Sequence, residues 1–200
     1  MVGDYFCGME KLVSSRLPSQ WGEYTIEAFG NEGDRFPHVV LHRGLGDKKT
    51  GEPVNVRVHS QCMTGDVFAS SRCDCGEQLA MALQHFKEQG GVLIYLRQEG
   101  RGIGLVEKLR AYNLQDDGMD TFEANRAGGH ADDERNYDDA LTILKALGID
   151  NITLLTNNPE KIGHLEKAGI QVSRRPCLTK VTADNGDYLR AKSEITGHWM

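Results

Sequence analysis

Apolar and polar positions alternate over residues 21–29 (WGEYTIEAF), and the turn-formers GNEGD follow, so this stretch predicts a strand. Residues 38–42 (HVVLH) and 54–59 (VNVRVH) predict two more, separated by the polar loop GLGDKKTGEP. The period then changes. Over residues 78–89 (QLAMALQHFKEQ), Leu79, Ala82, Leu83 and Phe86 share one helical face, and Gly90-Gly91 ends the helix. Residues 92–96 (VLIYL) form an apolar run short enough for a buried strand. Residues 105–114 predict a helix, as do 138–147 (DDALTILKAL), stopped by Gly148. Residues 152–155 (ITLL) predict a buried strand, and 159–168 a helix with Pro in its first turn and Gly169 after its end. Residues 1–20 show little pattern and predict a loosely held arm.

Strand and helix alternate from residue 78 to 173, which argues for an α/β core with partly parallel pairing. The strands of the first third favour antiparallel pairing, so the expected fold is α/β: one mixed sheet flanked by helices. The absence of repeats, low-complexity tracts and linkers predicts a single domain over residues 1–200. That length supports a full core. Charges sum to 23 − 29 = −6, against a sequence-independent grip on nucleic acid, although a local basic cluster can still hold a small anion. No apolar run approaches membrane-spanning length. The N-terminal stretch lacks a basic region followed by an apolar one, which points to the cytoplasm.

Five cysteines, Cys7, Cys62, Cys73, Cys75 and Cys177, are an odd number, and a reducing compartment disfavours disulfides. Cys62, Cys73 and Cys75 have the spacing C-x10-C-x-C. Three thiolates with an open fourth position suit a catalytic zinc, provided Asp74 occupies a turn, which Gly76 would help. Three buried thiols are the plainer alternative. A fourth ligand from His59 would instead make a structural zinc. The zinc-deaminase signature H-x-E with P-C-x-x-C is absent, so any hydrolysis falls outside that class.

Two loops offer anion sites. Arg97-Gln-Glu-Gly-Arg-Gly-Ile-Gly104 joins a strand to a helix, and its glycines would let backbone amides reach a phosphate, with Arg97 and Arg101 adding bidentate contacts. Its spacing matches neither G-x-G-x-x-G nor the Walker pattern. Thr156-Asn-Asn-Pro-Glu-Lys161 leaves another strand and puts Lys161 in the first turns of a helix, where a cation is unfavourable unless an anion joins it. A simple helix cap with an exposed lysine is the alternative. A third segment packs His130, Asp132, Asp133, Glu134 and Arg135 together. It reads either as a solvated face or as a carboxylate base beside a phosphate-binding arginine.

Together these blocks resemble the GTP cyclohydrolase II family of riboflavin synthesis. The resemblance rests on Arg57-Val-His-Ser-Gln-Cys-Met-Thr-Gly-Asp66, Ser71-Arg-Cys-Asp-Cys-Gly76, Arg97-Gln-Glu-Gly-Arg101 with Ile103-Gly-Leu105, Lys108-Leu-Arg-Ala-Tyr112, Asp120-Thr-Phe-Glu-Ala-Asn125, Asp133-Glu-Arg135 and Leu155-Thr-Asn-Asn-Pro159. It implies one zinc per chain on Cys62, Cys73 and Cys75, whose water attacks the guanine imidazole carbon and releases formate. It implies Asp133 as proton acceptor, Arg135 as the group that meets the α-phosphorus and expels pyrophosphate, and Tyr112 as a further catalytic residue. Nucleotide contacts would come from Arg57, Val58, His59, Ser60, Gln61, Gln78, Glu99, Gly100, Arg101, Thr121, Thr156 and Lys161. Mg²⁺ would accompany the triphosphate, and the protein would be a homodimer. An arginine nucleophile conflicts with its high pKa, so electrostatic clamping is the alternative role. Gln61 stands where the family has glutamate, Met119 where an aromatic residue is common, and His130 and Asp132 where small or apolar residues are usual. Those departures leave a paralogue that retains the formyl group, or serves another pathway, as the alternative.

Overall fold

Residues 54–60, whose valines alternate with polar side chains, and the apolar run 91–96 become neighbouring parallel strands at the centre of one mixed sheet. Residues 91–96 are apolar on both faces because both are covered, whereas residues 54–60 alternate: Val54, Val56 and Val58 enter the core, and Arg57 and His59 on the other face line a polar pocket. The structure, a computed structural model, describes residues 8–46 and 51–199. Its strands are β1 (Glu10–Ser19), β2 (Gly22–Gly30), β3 (His38–Arg43), β4 (Val54–Ser60), β5 (Gly91–Leu96), β6 (Asn151–Leu155) and β7 (Gln171–Arg175). They lie in the spatial order β1-β2-β3-β5-β4-β6-β7. Pairing is antiparallel from β1 to β5 and parallel from β5 through β4 and β6 to β7.

The helices are α1 (Met63–Asp66), α2 (Cys75–Gln89), α3 (Gly104–Asp116), α4 (Thr121–Ala127), α5 (Asp138–Ala146), α6 (Pro159–Lys167) and α7 (Gly186–Thr196). One face of the sheet packs Tyr24, Leu93 and Leu155 against Ala82, Leu83 and Phe86 of α2. The other packs Val40, Val56, Ile94 and Ile152 against Ala140, Ile143 and Leu144 of α5 and Leu165 of α6. Phe86 is fully buried, and truncating such a side chain costs about 3–5 kcal/mol. Its ring explains Gly91: a Cβ there would lie 2.4 Å from Phe86 Cδ1. No helix among the described residues is long and apolar enough to cross a membrane.

Three expectations change. The loose arm is corrected: Glu10–Ser19 is an edge strand paired along β2, with a bulge between Lys11 and Val13, while residues 1–7, Cys7 included, lie outside the described residues. It is mostly exposed and has one partner, so it carries little hydrophobic pattern. Helix α2 begins three residues earlier than its periodicity suggests, at Cys75 itself. Helices α4 and α7 were not expected. The first has a capping box, Asp120 with Glu123, a signal present in the sequence.

The carboxyl ends of the parallel strands β4, β5 and β6 point the same way. The segments carrying the cysteines, the glycine-rich loop and Thr156–Lys161 all leave from that edge, the usual ligand edge of an open α/β sheet.

Candidate active site

Cys62 precedes the single turn of α1, and Cys75 opens α2, with Asp74 in a turn conformation between Cys73 and Cys75. The three sulfurs lie within 4.8 Å of one another, and Cys62 and Cys73 are 3.7 Å apart. Thiolates 2.3 Å from a shared tetrahedral zinc would be about 3.8 Å apart, so this donor set fits the ion. Gly65 shapes the cradle: a Cβ there would sit 2.9 Å from Cys73 Sγ and 3.3 Å from Cys62 Sγ. Gly76 lets α1 and α2 touch, since its Cβ would fall 2.3 Å from Gly65 O. Among the described residues no fourth His, Cys, Asp or Glu joins the cluster.

A charged network holds this cradle. Lys108 Nζ of α3 donates to Cys62 Sγ at 3.1 Å, Thr64 Oγ1 at 3.0 Å and Glu99 Oε1 at 2.8 Å. Burial alone would lower its pKa, but the Cys62 thiolate and Glu99 outweigh that and hold it above the ordinary lysine value. Hydrogen bonds from Cys73 and Cys75 hold Cys62 far below the ordinary thiol range, and Cys73 is pushed up to about 11 chiefly by Cys62. Asp66 accepts from Cys62 N at 2.9 Å and Tyr95 Oη at 2.8 Å, and its other oxygen meets His59 Nε2 at 3.0 Å. His59 is therefore tied to Asp66 and is not a fourth ligand. Tyr112 Oη lies 3.3 Å from Thr64 Oγ1, and burial raises its pKa, so it is a phenol at neutral pH.

Two pockets open at this edge. The first surrounds the cysteines and is lined also by Gln61, Glu99, Gly100, Lys108, Tyr112 and Thr121. The second is cationic, with Arg57, Arg101, Arg135, Lys161 and Lys192 on its walls beside His59, Gln78, Thr156 and His198. Ser60, Cys75, Arg101, Arg135 and Tyr188 line both, so the pockets share a wall. Arg57 donates to Leu155 O at 2.9 Å and Gln78 Oε1 at 2.5 Å, while its buried Nε and His59 Nδ1 have no hydrogen-bond partner. Thr156 Oγ1 accepts from Asn158 N and shapes the turn before α6. Lys161 is 6% exposed and donates to Val58 O at 2.8 Å. Burial first, then Arg57, Arg135 and Lys192, hold its pKa well below the ordinary lysine value. The exposed-lysine alternative is thereby removed. Val58 itself lies inside β4 and contributes this carbonyl rather than a pocket surface.

Arg135 and Asp133 form an ion pair on the inner side of the acidic loop. Burial would lower the arginine's pKa, yet Asp133 raises it further, so the guanidinium stays charged. Burial opposes ionisation of Asp133, and Arg135 overcomes it, holding the carboxyl below its ordinary value. The neighbours face outward: Asp132 pairs with Arg126, and His130 with Glu134 and Glu107. The loop is thus a solvated face on one side and a site wall on the other.

The glycine-rich loop differs from expectation. Gly100 N is taken by the Glu99 side chain, and Gly102 sits against Glu134, where a Cβ would lie 3.0 Å from its carbonyl oxygen. Arg101 adopts φ +62°, sparsely populated for a side-chain-bearing residue, and lies over the Phe122 ring at 4.3 Å. Arg97 is corrected: it is exposed, lines neither pocket and donates to Pro37 O. Glu99 reaches the pocket wall with its carboxylate already accepting from Met63 N, Gly100 N and Lys108.

The sequence model of the GTP cyclohydrolase II family matches residues 10–176. The chain belongs to the GTP cyclohydrolase II family. The GTP cyclohydrolase-2 of Picrophilus torridus is 47% identical over 192 residues, covering 95% of this chain and 98% of that protein. That of Neisseria meningitidis is 48% identical over 191 residues, 94% of this chain and 95% of that protein. The riboflavin biosynthesis protein RibBA of Bacillus subtilis is 49% identical over 195 residues, but the chain spans only 48% of its length. Several residues that line the pockets of this GTP cyclohydrolase II family member carry only a weak signal in the sequence. Lys108 stands four residues before Tyr112 in Lys108-Leu-Arg-Ala-Tyr112, a spacing that puts both on one helix face. Tyr188, Lys192 and His198 come from the C-terminal segment, which carries no motif.

Proposed function

We propose that this chain hydrolyses GTP in the first step of riboflavin synthesis, opening the guanine imidazole ring and releasing formate and pyrophosphate to leave a diamino-ribosylamino-pyrimidinone monophosphate. One observation carries the reading: the three-cysteine pocket and the cationic pocket share a wall, so one nucleotide spans both, base over the cysteines and phosphates among the cations. Cys62, Cys73 and Cys75 would hold one zinc, which supplies a Lewis acid and a water activated near neutral pH. The carboxylates facing the cations are paired, Asp133 with Arg135 and Asp74 with Lys192, so Mg²⁺ would come with the triphosphate and supply counter-charge to it.

Arg135, charged and lining both pockets, sits where the α-phosphate must lie. It acts as an electrostatic clamp there, because a guanidinium held protonated has no lone pair for attack. Asp133 orients Arg135, and its carboxylate becomes free to accept a proton when the guanidinium turns to phosphate. Arg57, Arg101 and Lys161 neutralise the remaining charge. Tyr112 donates from its phenol toward the base, and Gln61 and Thr121 line the same pocket. Formyl retention is the second reading, favoured by Gln61, whose carboxamide stands beside Cys62 in place of the family's glutamate. The assembly is read as a cytoplasmic homodimer. Incubation with GTP and Mg²⁺ followed by mass determination of the product separates the readings. A product without the formyl group supports the full reaction, and a product still carrying it supports the second.

A further inference from the structure

The family match ends at residue 176, yet the segment beyond it completes the cationic pocket. Helix α7 places Tyr188 and Lys192 one turn apart on one face, and both line the pocket. Lys192 Nζ lies 3.1 and 3.2 Å from the two Asp74 oxygens and 5.0 Å from the Tyr188 ring centre. Its side chain is 13% exposed, so this ammonium is placed rather than trailing in solvent. After α7, Gly197 turns the chain with φ +63°, which brings His198 back to the pocket. His198 Nδ1 is engaged by Thr196 Oγ1 at 2.7 Å, leaving Nε2 as the remaining polar atom of the ring. The tail is pinned there: Trp199 N donates to Asn157 O at 3.0 Å, and its ring lies under Arg174 at 4.3 Å.

Position within the pocket assigns the ligand group. Arg101 and Arg135 line both pockets and so face the phosphate next to the nucleoside, whereas Lys161, Lys192 and His198 line only the far one. We propose that Lys192 and His198 bind the terminal phosphates of the nucleoside triphosphate, making the C-terminal helix part of the substrate site and the element that selects triphosphates over monophosphates. The proposal rests on the nucleotide reading given above. Burial, and then Lys192, Arg135, Lys161 and Arg101, hold His198 down at about 3, in keeping with the cations that line the same pocket. Asp74 pairs with Lys192, so a phosphate and Asp74 would compete for one ammonium.

That competition gives opposite signs to two substitutions. Calorimetry on the zinc-loaded full chain would compare GTP, GMP and inorganic tripolyphosphate. Lys192→Met should weaken GTP and tripolyphosphate about ten- to a hundredfold, the worth of one charge-assisted hydrogen bond, and GMP by no more than about twofold. Lys192→Arg should restore most of the loss, and His198→Gln should weaken tripolyphosphate more than GMP. Asp74→Asn, which keeps an acceptor for Gln78, should instead tighten tripolyphosphate. The double variant Asp74→Asn with Lys192→Met leaves no buried carboxylate unpaired and should still bind weakly, which separates ligand contact from folding. Zinc content should be unchanged in all. If Lys192→Met and Asp74→Asn weaken tripolyphosphate alike, or if GMP and GTP lose equally, Lys192 is a strut and the proposal is overturned. A parent protein that binds tripolyphosphate but not GTP would uphold the anion site and overturn the nucleotide reading. Binding of neither would overturn both.

Discussion

Arg135 reaches back two residues to Asp133, its Nε lying 2.8 Å from Oδ1 and 3.1 Å from Oδ2, with the backbone N–H of Arg135 on the same carboxylate at 3.0 Å. The pair fixes a charged guanidinium at the wall common to the cysteine and cationic pockets. Arg135→Ala should abolish pyrophosphate release, by roughly 10²–10³ in kcat or more, the usual cost of removing a preorganised charge stabiliser. Arg135→Lys should recover part of it, since a clamp needs charge. A rapid assay for pyrophosphate checks this. No recovery with lysine would mean that the planar fork itself is required.

Gly65 and Cys73 make the metal cradle sensitive to a single methyl group. Cys73→Ser should lose most of the zinc. Gly65→Ala, whose Cβ would press on Cys73 Sγ at 2.9 Å, should lower zinc retention under mild chelation without removing a ligand. Metal analysis after dialysis reads both. Substitution of Cys177, buried far along the chain from the cluster, should leave zinc content at the parental level.

Lys161 is held partly by what it lacks. Neighbouring cations and burial depress its pKa, and a polyanion reverses that, so binding should take up protons. Calorimetry of tripolyphosphate binding in buffers of different ionisation enthalpy should show net uptake near neutral pH. Lys161→Ala should reduce that uptake and weaken GTP about ten- to a hundredfold, with a much smaller effect on GMP. Unchanged uptake in the variant would assign the protons elsewhere.

How far the sequence announced this arrangement depends on which force set each element. Strands β4, β5 and β6 and helices α2, α5 and α6 bury apolar faces, and their periodicity is readable within a residue or three. Strand β1 is an exposed edge with one partner, so burial left no stripe in it. Helix α7 turns polar groups, Tyr188 and Lys192, toward a pocket, and a helix whose inward face is polar reads as a surface segment. The cysteine spacing was legible because few residue types do that chemistry. Arg97 and Arg101 looked equivalent, but the left-handed turn at Gly100 and Arg101 aims them to different places, and no periodicity reports a turn of that kind. The acidic loop likewise hid which of its charges face inward.

Acid should destabilise the fold before the carboxylates titrate. Burial holds both His59 and His198 below the ordinary histidine value near 6.5, His198 at about 3. The unfolded chain therefore binds more protons than the native one below that value. The stability these rings contribute is complete above about pH 6.5 and is lost as pH falls from there toward about 3. Thermal melts should show Tm falling between about pH 7 and about pH 5, and His198→Gln should flatten part of the slope. A Tm that is level over that interval in the parent would contradict the burial of these rings.

The central claim is that one nucleotide is worked on at two joined centres. Formate and pyrophosphate release should be measured together from GTP and Mg²⁺, on the zinc-loaded parent, its zinc-depleted form and Arg135→Ala. The account predicts both products from the parent, pyrophosphate without formate from the zinc-depleted form, and loss of pyrophosphate from Arg135→Ala. If the zinc-depleted form and Arg135→Ala fail identically in both partial reactions, the division between a cysteine-metal centre and an arginine centre is contradicted.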